Sequence, residues 1–244
     1  MDGSVTSSPS LNAAQFIDSV LRLQPSLAVF DCDGTLWAGD AGEGFFSWEL
    51  SRGLFPDDVV RWARQRYTDY KAGKVSEDDM CAEMATMHRG LAEADVQRAA
   101  DQFVEEHFVT RTFPEMHQLV DRLRRSGCDV WAVSSTNEWV IKTAVKHCGI
   151  DPAKALAVSV EVEGGRITDR VVRVPSGEGK PRAIQKVIRR VPDAAFGNSR
   201  FDVEMLALAR HAFAVNPYPD LEAAAREHGW TVYWPDGSGR SAAT

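Results

Sequence analysis

Long apolar runs are missing from this 244-residue sequence: none approaches the roughly 18 residues that a membrane-spanning helix needs, so no membrane partner is expected. Cysteine is sparse. The four present (Cys32, Cys81, Cys128 and Cys148) form no C-x-x-C pair, which argues against a disulfide framework or a zinc site and leaves reduced, mostly buried thiols as the expectation. Positive charge is short as well, with 28 Lys and Arg against 35 Asp and Glu, a net charge of −7. A nucleic-acid-binding chain would show a clustered basic footprint, so no nucleic acid is expected as a partner. The first ten residues hold no basic segment followed by an apolar one. That pattern excludes a signal peptide and, with the reduced thiols, points to the cytoplasm. Internal repeats and low-complexity tracts are absent.

The composition is that of an ordinary globular chain, 44% apolar and 26% charged. At about 150 residues per domain, one large core or a core with an insertion both fit. Short apolar runs at Leu27–Phe30, Val130–Val133, Leu156–Val160, Ala194–Phe196, Phe213–Val215 and Thr231–Trp234 read as strands buried on both faces. Helical patterns separate most of them, which predicts an α/β fold with a mostly parallel sheet. The helix opened by Pro114, with Leu119, Val120 and Leu123 on one face, is the clearest.

Residues 38–112 break the alternation with helical pattern alone. Val59, Trp62, Ala63, Arg66, Tyr67 and Tyr70 keep one helical spacing; Val96, Ala99, Ala100, Phe103, Val104 and His107 keep another. The expected organisation is a core of residues 11–37 and 113–235, an all-helical insertion at 38–112, and flexible tails at 1–10 and 236–244. Gly164-Gly165, between extended runs, predicts a β-hairpin over Glu161–Val174.

The first strand runs into Asp31-Cys32-Asp33-Gly34-Thr35-Leu36. Residues two apart on a strand point the same way, so Asp31 and Asp33 project into one crevice at the carboxyl edge of the sheet, where open α/β folds bind ligands. Two carboxylates so close require a cation between them or a proton on one. Gly34 permits a turn and a close backbone approach, and Thr35 offers a hydroxyl and an N–H to an anion. After the second strand, Ser134-Ser135-Thr136-Asn137 leads into a helix, a place that suits an anion or simply caps the helix. Lys180, before another helix, can offset charge on a phosphoryl oxygen. Phe196-Gly197-Asn198-Ser199-Arg200-Phe201-Asp202 closes a further strand, and Asn198 and Asp202 offer hard oxygens of the kind Mg²⁺ prefers. Each piece after the first is weak alone; together they sit at strand ends along one sheet edge.

These residues resemble the haloacid dehalogenase-like superfamily, in its phosphoserine-phosphatase-like branch. Asp31-x-Asp33-Gly-Thr matches the first family motif, Ser134 the second, Lys180 the third and Gly197-Asn198-Ser199-x-x-Asp202 the fourth, and the likeness runs over the chain between its tails. It implies a Rossmann-like core with a helical cap, and a Mg²⁺-dependent phosphatase acting on a small-molecule phosphomonoester. Asp31 is then the nucleophile that becomes an aspartyl-phosphate. Asp33 is the acid and later the base, and its main-chain carbonyl also meets the metal. Ser134 and Lys180 hold phosphoryl oxygens, with Gly34, Thr35 and Ser135 beside them, while Asp31, Asn198 and Asp202 hold Mg²⁺, the last directly or through water. A cap of this kind is expected to open and close over the core.

Two departures stand out. Asn198 replaces the usual aspartate and removes one negative charge from the metal site. In the cap, Asp40 stands where the branch has a glutamate, and Met84 where it has an arginine, with Arg89 nearby. Phosphoserine is therefore not the favoured substrate. Trp37, Phe45, Phe46 and Trp48 with Asp40 and Glu43 read either as the apolar seam of a cap helix or as a site for an amine. The sharper reading is an amino-bearing phosphomonoester. A phosphotransferase using the same intermediate, and a phosphate-ligand binding protein with a weakened metal site, are the alternatives. Monomer and homodimer are both open.

Overall fold

The computed structural model describes residues 11–238. In chain order its elements are α1 (Ala13–Leu21), β1 (Leu27–Phe30), α2 (Ala41–Glu49), α3 (Asp57–Lys71), α4 (Glu77–Thr86), α5 (Glu93–His107), α6 (Pro114–Arg125), β2 (Asp129–Asn137), α7 (Glu138–His147), β3 (Ala155–Glu163), β4 (Arg166–Arg173), α8 (Gly179–Val187), β5 (Ala194–Gly197), α9 (Val203–Leu208), β6 (His211–Val215), α10 (Pro219–His228) and β7 (Thr231–Tyr233). The seven strands form one sheet in the order β4-β3-β2-β1-β5-β6-β7. Every pairing is parallel except β3 with β4, the expected hairpin. The fold is α/β, as the alternation of strand and helix predicts.

All four residues of β1 are buried, as a central strand covered on both faces requires. The chain leaves β1 for β2, β3 and β4 on one side, then crosses to β5, β6 and β7 on the other. The order therefore reverses at β1, and the carboxyl end of β1 is the switch-point crevice of an open α/β sheet. Phe30, Phe196 and Phe213 stack along one face at centroid separations of 4.1 and 4.8 Å, and Phe16 of α1 stacks on Tyr233 at 3.9 Å. Burying each such ring contributes about 2 kcal/mol. Helix α6 follows the rules for its ends: Pro114 opens it, Glu115 sits in its first turn, and Arg122, Arg124 and Arg125 sit in its last. Leu119, Val120 and Leu123 are fully buried.

Helices α2 to α5 fill the stretch read as all-helical. Val96, Ala99, Ala100, Phe103 and Val104 of α5 are buried, while His107 at its end is exposed. The α3 seam is narrower than its spacing suggests. Ala63 is buried, but Trp62 is 42% exposed because the helix meets its neighbours along a thin stripe. Phe45, of α2, and Phe103 belong to the same apolar cluster as the sheet's own core. A smaller cluster, Phe46, Leu50, Phe55, Ala63 and Met87, holds α3 to its neighbours.

Strand ends differ from the expected runs by up to a few residues, and two boundary differences have a clear structural reason. Strand β2 continues past Val133 to Asn137, with the register shifting between those residues, so that 134–136 bulge out of the ladder. A bulge keeps strand geometry while re-aiming side chains, which a reading based on apolar runs cannot see. The expected tail from residue 236 begins with a turn, since the Asp236 N–H donates to Glu115 Oε1 and the Ser238 N–H to the Pro235 carbonyl. The remainder of that tail, and residues 1–10, lie outside the described residues. All four cysteines are free, and Cys32, Cys128 and Cys148 are buried.

Candidate active site

A cavity of about 330 Å³ opens at the carboxyl ends of β1, β2 and β5, under α2, α3 and α4. Asp31 extends β1 by one residue, its N–H donating to the Phe196 carbonyl at 2.8 Å. Its carboxylate takes the Lys180 ammonium at 2.7 Å on Oδ1 and the Thr35 hydroxyl at 3.0 Å on Oδ2. Burial raises the Asp31 carboxyl to about 6, as does neighbouring Asp202, against the lowering pull of Lys180. Asp33 lines the same cavity. One of its oxygens accepts from Trp37 Nε1 at 2.7 Å and the Ala41 N–H at 2.6 Å, the other from the Thr136 hydroxyl at 2.9 Å. Burial, and then Asp40, push its carboxyl up to about 8, so that it holds a proton at neutral pH. The two carboxylates thus meet both requirements of a close pair, a cation on one and a proton on the other.

Lys180 is 2% exposed and bridges Asp31 to Asp202, which it reaches at 2.5 Å. Burial opposes its charge, but Asp202 and Asp31 outweigh that and hold the ammonium protonated. The second Asp202 oxygen accepts the Asn198 and Ser199 N–H groups, both at 2.9 Å, and the Ser199 hydroxyl at 3.2 Å. Asp202 is fully engaged in shaping the loop that presents Asn198. Gly34 shows why a side chain is excluded beside that loop: at φ +73° it turns the chain, and a Cβ there would lie 1.9 Å from Asn198 Nδ2. Gly42 serves a similar close approach, with α2 starting so near β2 that a Cβ would stand 2.6 Å from the Thr136 hydroxyl.

Among the described residues no three His, Cys, Asp or Glu side chains gather as a metal-binding set. A cation at this cavity therefore needs the Asn198 amide oxygen and a main-chain carbonyl besides Asp31. Such hard oxygens, next to more buried carboxylate than ammonium, suit Mg²⁺.

The other expected residues divide. Gly34, Asp40, Glu43 and Ser135 line the cavity. Asp40 also caps α2, accepting the Glu43 N–H at 2.7 Å. Ser134 is 1% exposed and does not line the cavity; its hydroxyl accepts the Thr136 N–H at 3.1 Å within the bulge. Thr35 is likewise outside the lining, its hydroxyl given to Asp31 and its N–H to the Cys32 carbonyl. Arg89 is placed away from the cavity. It follows the end of α4 in a turn that swings toward the hairpin, and its guanidinium pairs with Asp169 of β4 at 3.0 Å.

Trp37, Phe45 and Phe46 are packed inside, so the aromatic cluster after Asp31 is a seam and not a ligand face. The aromatic wall comes instead from Tyr67 and Tyr70 of α3, joined by Lys71 and by Glu77, Met80, Cys81 and Met84. Helical spacing assigns Tyr67 and Tyr70 to a packing stripe; their polar tips are the signal in the sequence that they meet a cavity. Lys71 lies over the Tyr67 ring at 5.0 Å and reaches Glu43 at 3.4 Å, while Tyr70 donates to Glu77.

The profile described as haloacid dehalogenase-like hydrolase matches residues 28–207. The chain is 25% identical over 219 residues to a histidinol-phosphatase of Neisseria meningitidis serogroup C (strain 8013), covering 85% of this chain and 97% of that protein. It is 26% identical over 215 residues to the phosphoserine phosphatase SerB1 of Mycobacterium tuberculosis (strain ATCC 25618 / H37Rv), covering 84% and 69%. In fold it is similar to a protein of unknown function from Bordetella pertussis Tohama I, with a TM-score of 0.75 at 20% identity over 85% of this chain and 97% of the other. With the profile running from β1 into α9, the chain belongs to the haloacid dehalogenase-like hydrolases.

Proposed function

We propose that this protein is a Mg²⁺-dependent phosphatase that hydrolyses a small amino-bearing phosphomonoester through an aspartyl-phosphate on Asp31. The observation that carries this reading is the pairing, on one cavity, of an Asp31 carboxylate held by Lys180 and Thr35 with an Asp33 carboxyl that keeps its proton up to about pH 8. An Asp31 oxygen attacks phosphorus while the bond from phosphorus to the leaving oxygen breaks and Asp33 gives that oxygen its proton. In the second step Asp33, now a carboxylate, takes a proton from water; the water oxygen attacks phosphorus, and the bond to Asp31 breaks, releasing inorganic phosphate. Lys180 offsets charge on the phosphoryl group, and the Ser135 region faces the same space. Asp31, Asn198 and the main-chain carbonyl of Asp33 would hold Mg²⁺. Bound there, the ion would neutralise phosphoryl charge and favour the ionised form of Asp31.

The substrate class follows from the wall opposite the nucleophile. Asp40, Glu43 and Glu77 outnumber the one ammonium of this wall, Lys71, and with the rings of Tyr67 and Tyr70 they make a net acidic, aromatic lining that suits an amine. Met84 lines the cavity while Arg89 pairs elsewhere, which disfavours a substrate with an added carboxylate. The names of two relatives, histidinol-phosphatase and phosphoserine phosphatase, support this reading.

The test is phosphate release from a panel of amino-alcohol, amino-acid, sugar and nucleotide phosphomonoesters, with and without Mg²⁺, beside Asp31→Asn. Turnover that needs Mg²⁺, vanishes in the variant and favours amines is the expected result. No release from any member overturns the reading, and a phosphorylated second alcohol among the products would point to phosphotransfer. Asp40→Ala should erase the preference for amines over neutral analogues; an unchanged preference removes Asp40 from substrate selection.

A further inference from the structure

The segment that follows β6 reaches the site: Tyr218 lines the cavity, while Asn216 bonds beside it without lining it. Asn216, the first residue past the strand, has φ +47°. Its side-chain Nδ2 donates to the Gly34 carbonyl at 3.1 Å, across 182 residues of sequence. Its own N–H is anchored on the Tyr233 carbonyl at 2.8 Å, so the side chain projects from the end of a sheet and not from a loose loop. Two residues on, the Tyr218 N–H donates to the Asn198 carbonyl, also at 2.8 Å. Pro217 between them is buried. One short strap is therefore bonded both to the turn that carries Asp31 and Asp33 and to the loop that carries Asn198. These two pieces of chain meet at Gly34, where the Asn198 amide lies close over the missing side chain.

We infer that Asn216 is a positioning residue for phosphoryl transfer: its grip on the Gly34 carbonyl sets the spacing between the Asp31–Asp33 turn and the Asn198 side chain. The inference rests on the phosphatase reading and adds to it a residue outside the cavity. The Gly34 turn is thin. Its own N–H bonds to the Trp37 carbonyl at 2.9 Å, and Asn216 supplies the tie to a strand on the far side of the nucleophile. Asparagine suits the position twice over, since it accepts left-handed backbone more readily than most residues and its amide carries donors for a carbonyl. Displacing reacting groups by about 1 Å costs on the order of a hundredfold in rate, so the tie matters more for catalysis than for folding.

The test compares Asn216→Asp, which keeps shape and backbone tolerance but loses the donor, with Asn216→Gly, which keeps only the backbone. Mg²⁺ binding is followed by calorimetry, kcat and KM with 4-nitrophenyl phosphate, and Tm by thermal unfolding. The expected result is a fall in Mg²⁺ affinity of about tenfold and in kcat of about ten- to a hundredfold for Asn216→Asp, with KM within about threefold and Tm nearly unchanged, and a smaller loss of the same kind for Asn216→Gly. Variants that match the wild type in Mg²⁺ affinity and kcat overturn the inference, as does a loss confined to Tm, which marks a purely structural tie. If the wild type itself neither binds Mg²⁺ nor releases phosphate, the phosphatase reading falls first and the positioning role falls with it.

Discussion

Among the described residues, two groups of buried titratable side chains differ in what surrounds them. Lys180 bridges Asp31 and Asp202 on the wall of a cavity, with side chains 2%, 8% and 0% exposed. His88 and Glu49 bond at 2.8 Å with both side chains 1% exposed, among the rings of Phe45, Phe55 and Trp139. The second cluster is closed: Glu49 meets His88 Nε2, and His88 Nδ1 turns to the Ala85 carbonyl. The first is unbalanced, two carboxylates on one ammonium with Asp33 close by, and it faces space that a ligand can enter. Burial of titratable groups is common to both, so burial alone does not mark the site. Imbalance next to a cavity does, because only there can a cation or phosphoryl group complete the set.

Removing Lys180 should have the largest effect. Lys180→Met leaves two buried carboxylates without their cation; phosphate release should fall by about a thousandfold and stability by about 3–5 kcal/mol, with Mg²⁺ recovering part of the Tm but not the rate. Unchanged stability would mean that Lys180 does not hold the two carboxylates in the folded state. His88→Ala should lower stability by about 3 kcal/mol, read by denaturant unfolding, while kcat of the folded enzyme stays within about twofold. Replacing both partners with leucine should regain most of that loss. A large fall in kcat with normal stability would dissolve the distinction between the two clusters.

The pH profile sharpens the comparison further. Asp33 is held above its ordinary range, so its acid form is present below about pH 8 and lost above it. Release of an alkyl alcohol, which needs that proton, should fall tenfold per pH unit above about 8, while 4-nitrophenyl phosphate, whose leaving group needs less help, should fall less. Equal slopes for the two would take Asp33 out of the acid role. The smallest effect is expected from Asn198→Asp, which restores a negative charge and should tighten Mg²⁺ several-fold by calorimetry. No tightening would mean that Asn198 is not where the ion is held.

Legibility varied along the chain for identifiable reasons. Asp31 and Asp33 are readable because they follow a strand whose apolar pattern is strong, and a strand that ends in acid points its carboxylates where the sheet ends; Lys180 lies in the first turn of α8. Ser134 and Thr35 were assigned to an anion by residue type, yet both hydroxyls are engaged locally, in the bulge of β2 and on Asp31. Hydroxyls bond to whatever lies nearest, and a bulge leaves no mark in an apolar run. Tyr67, Tyr70 and Glu77 were missed as lining because helical spacing reports which face packs, not which end overhangs a cavity. Arg89 was misplaced for the same reason, since a turn of a few residues after α4 carried it to the hairpin.

By itself, then, the sequence determined the α/β order, the helical stretch after the first strand and the residues able to do chemistry, because these depend on periodicity and on local backbone rules. The tertiary structure alone decided which of those residues share a cavity, that Lys180 spans Asp31 and Asp202, and that Asn216 reaches Gly34. Those are contacts between positions 22 to 182 residues apart, set by how helices and strands pack, and no local pattern encodes a distance across the fold.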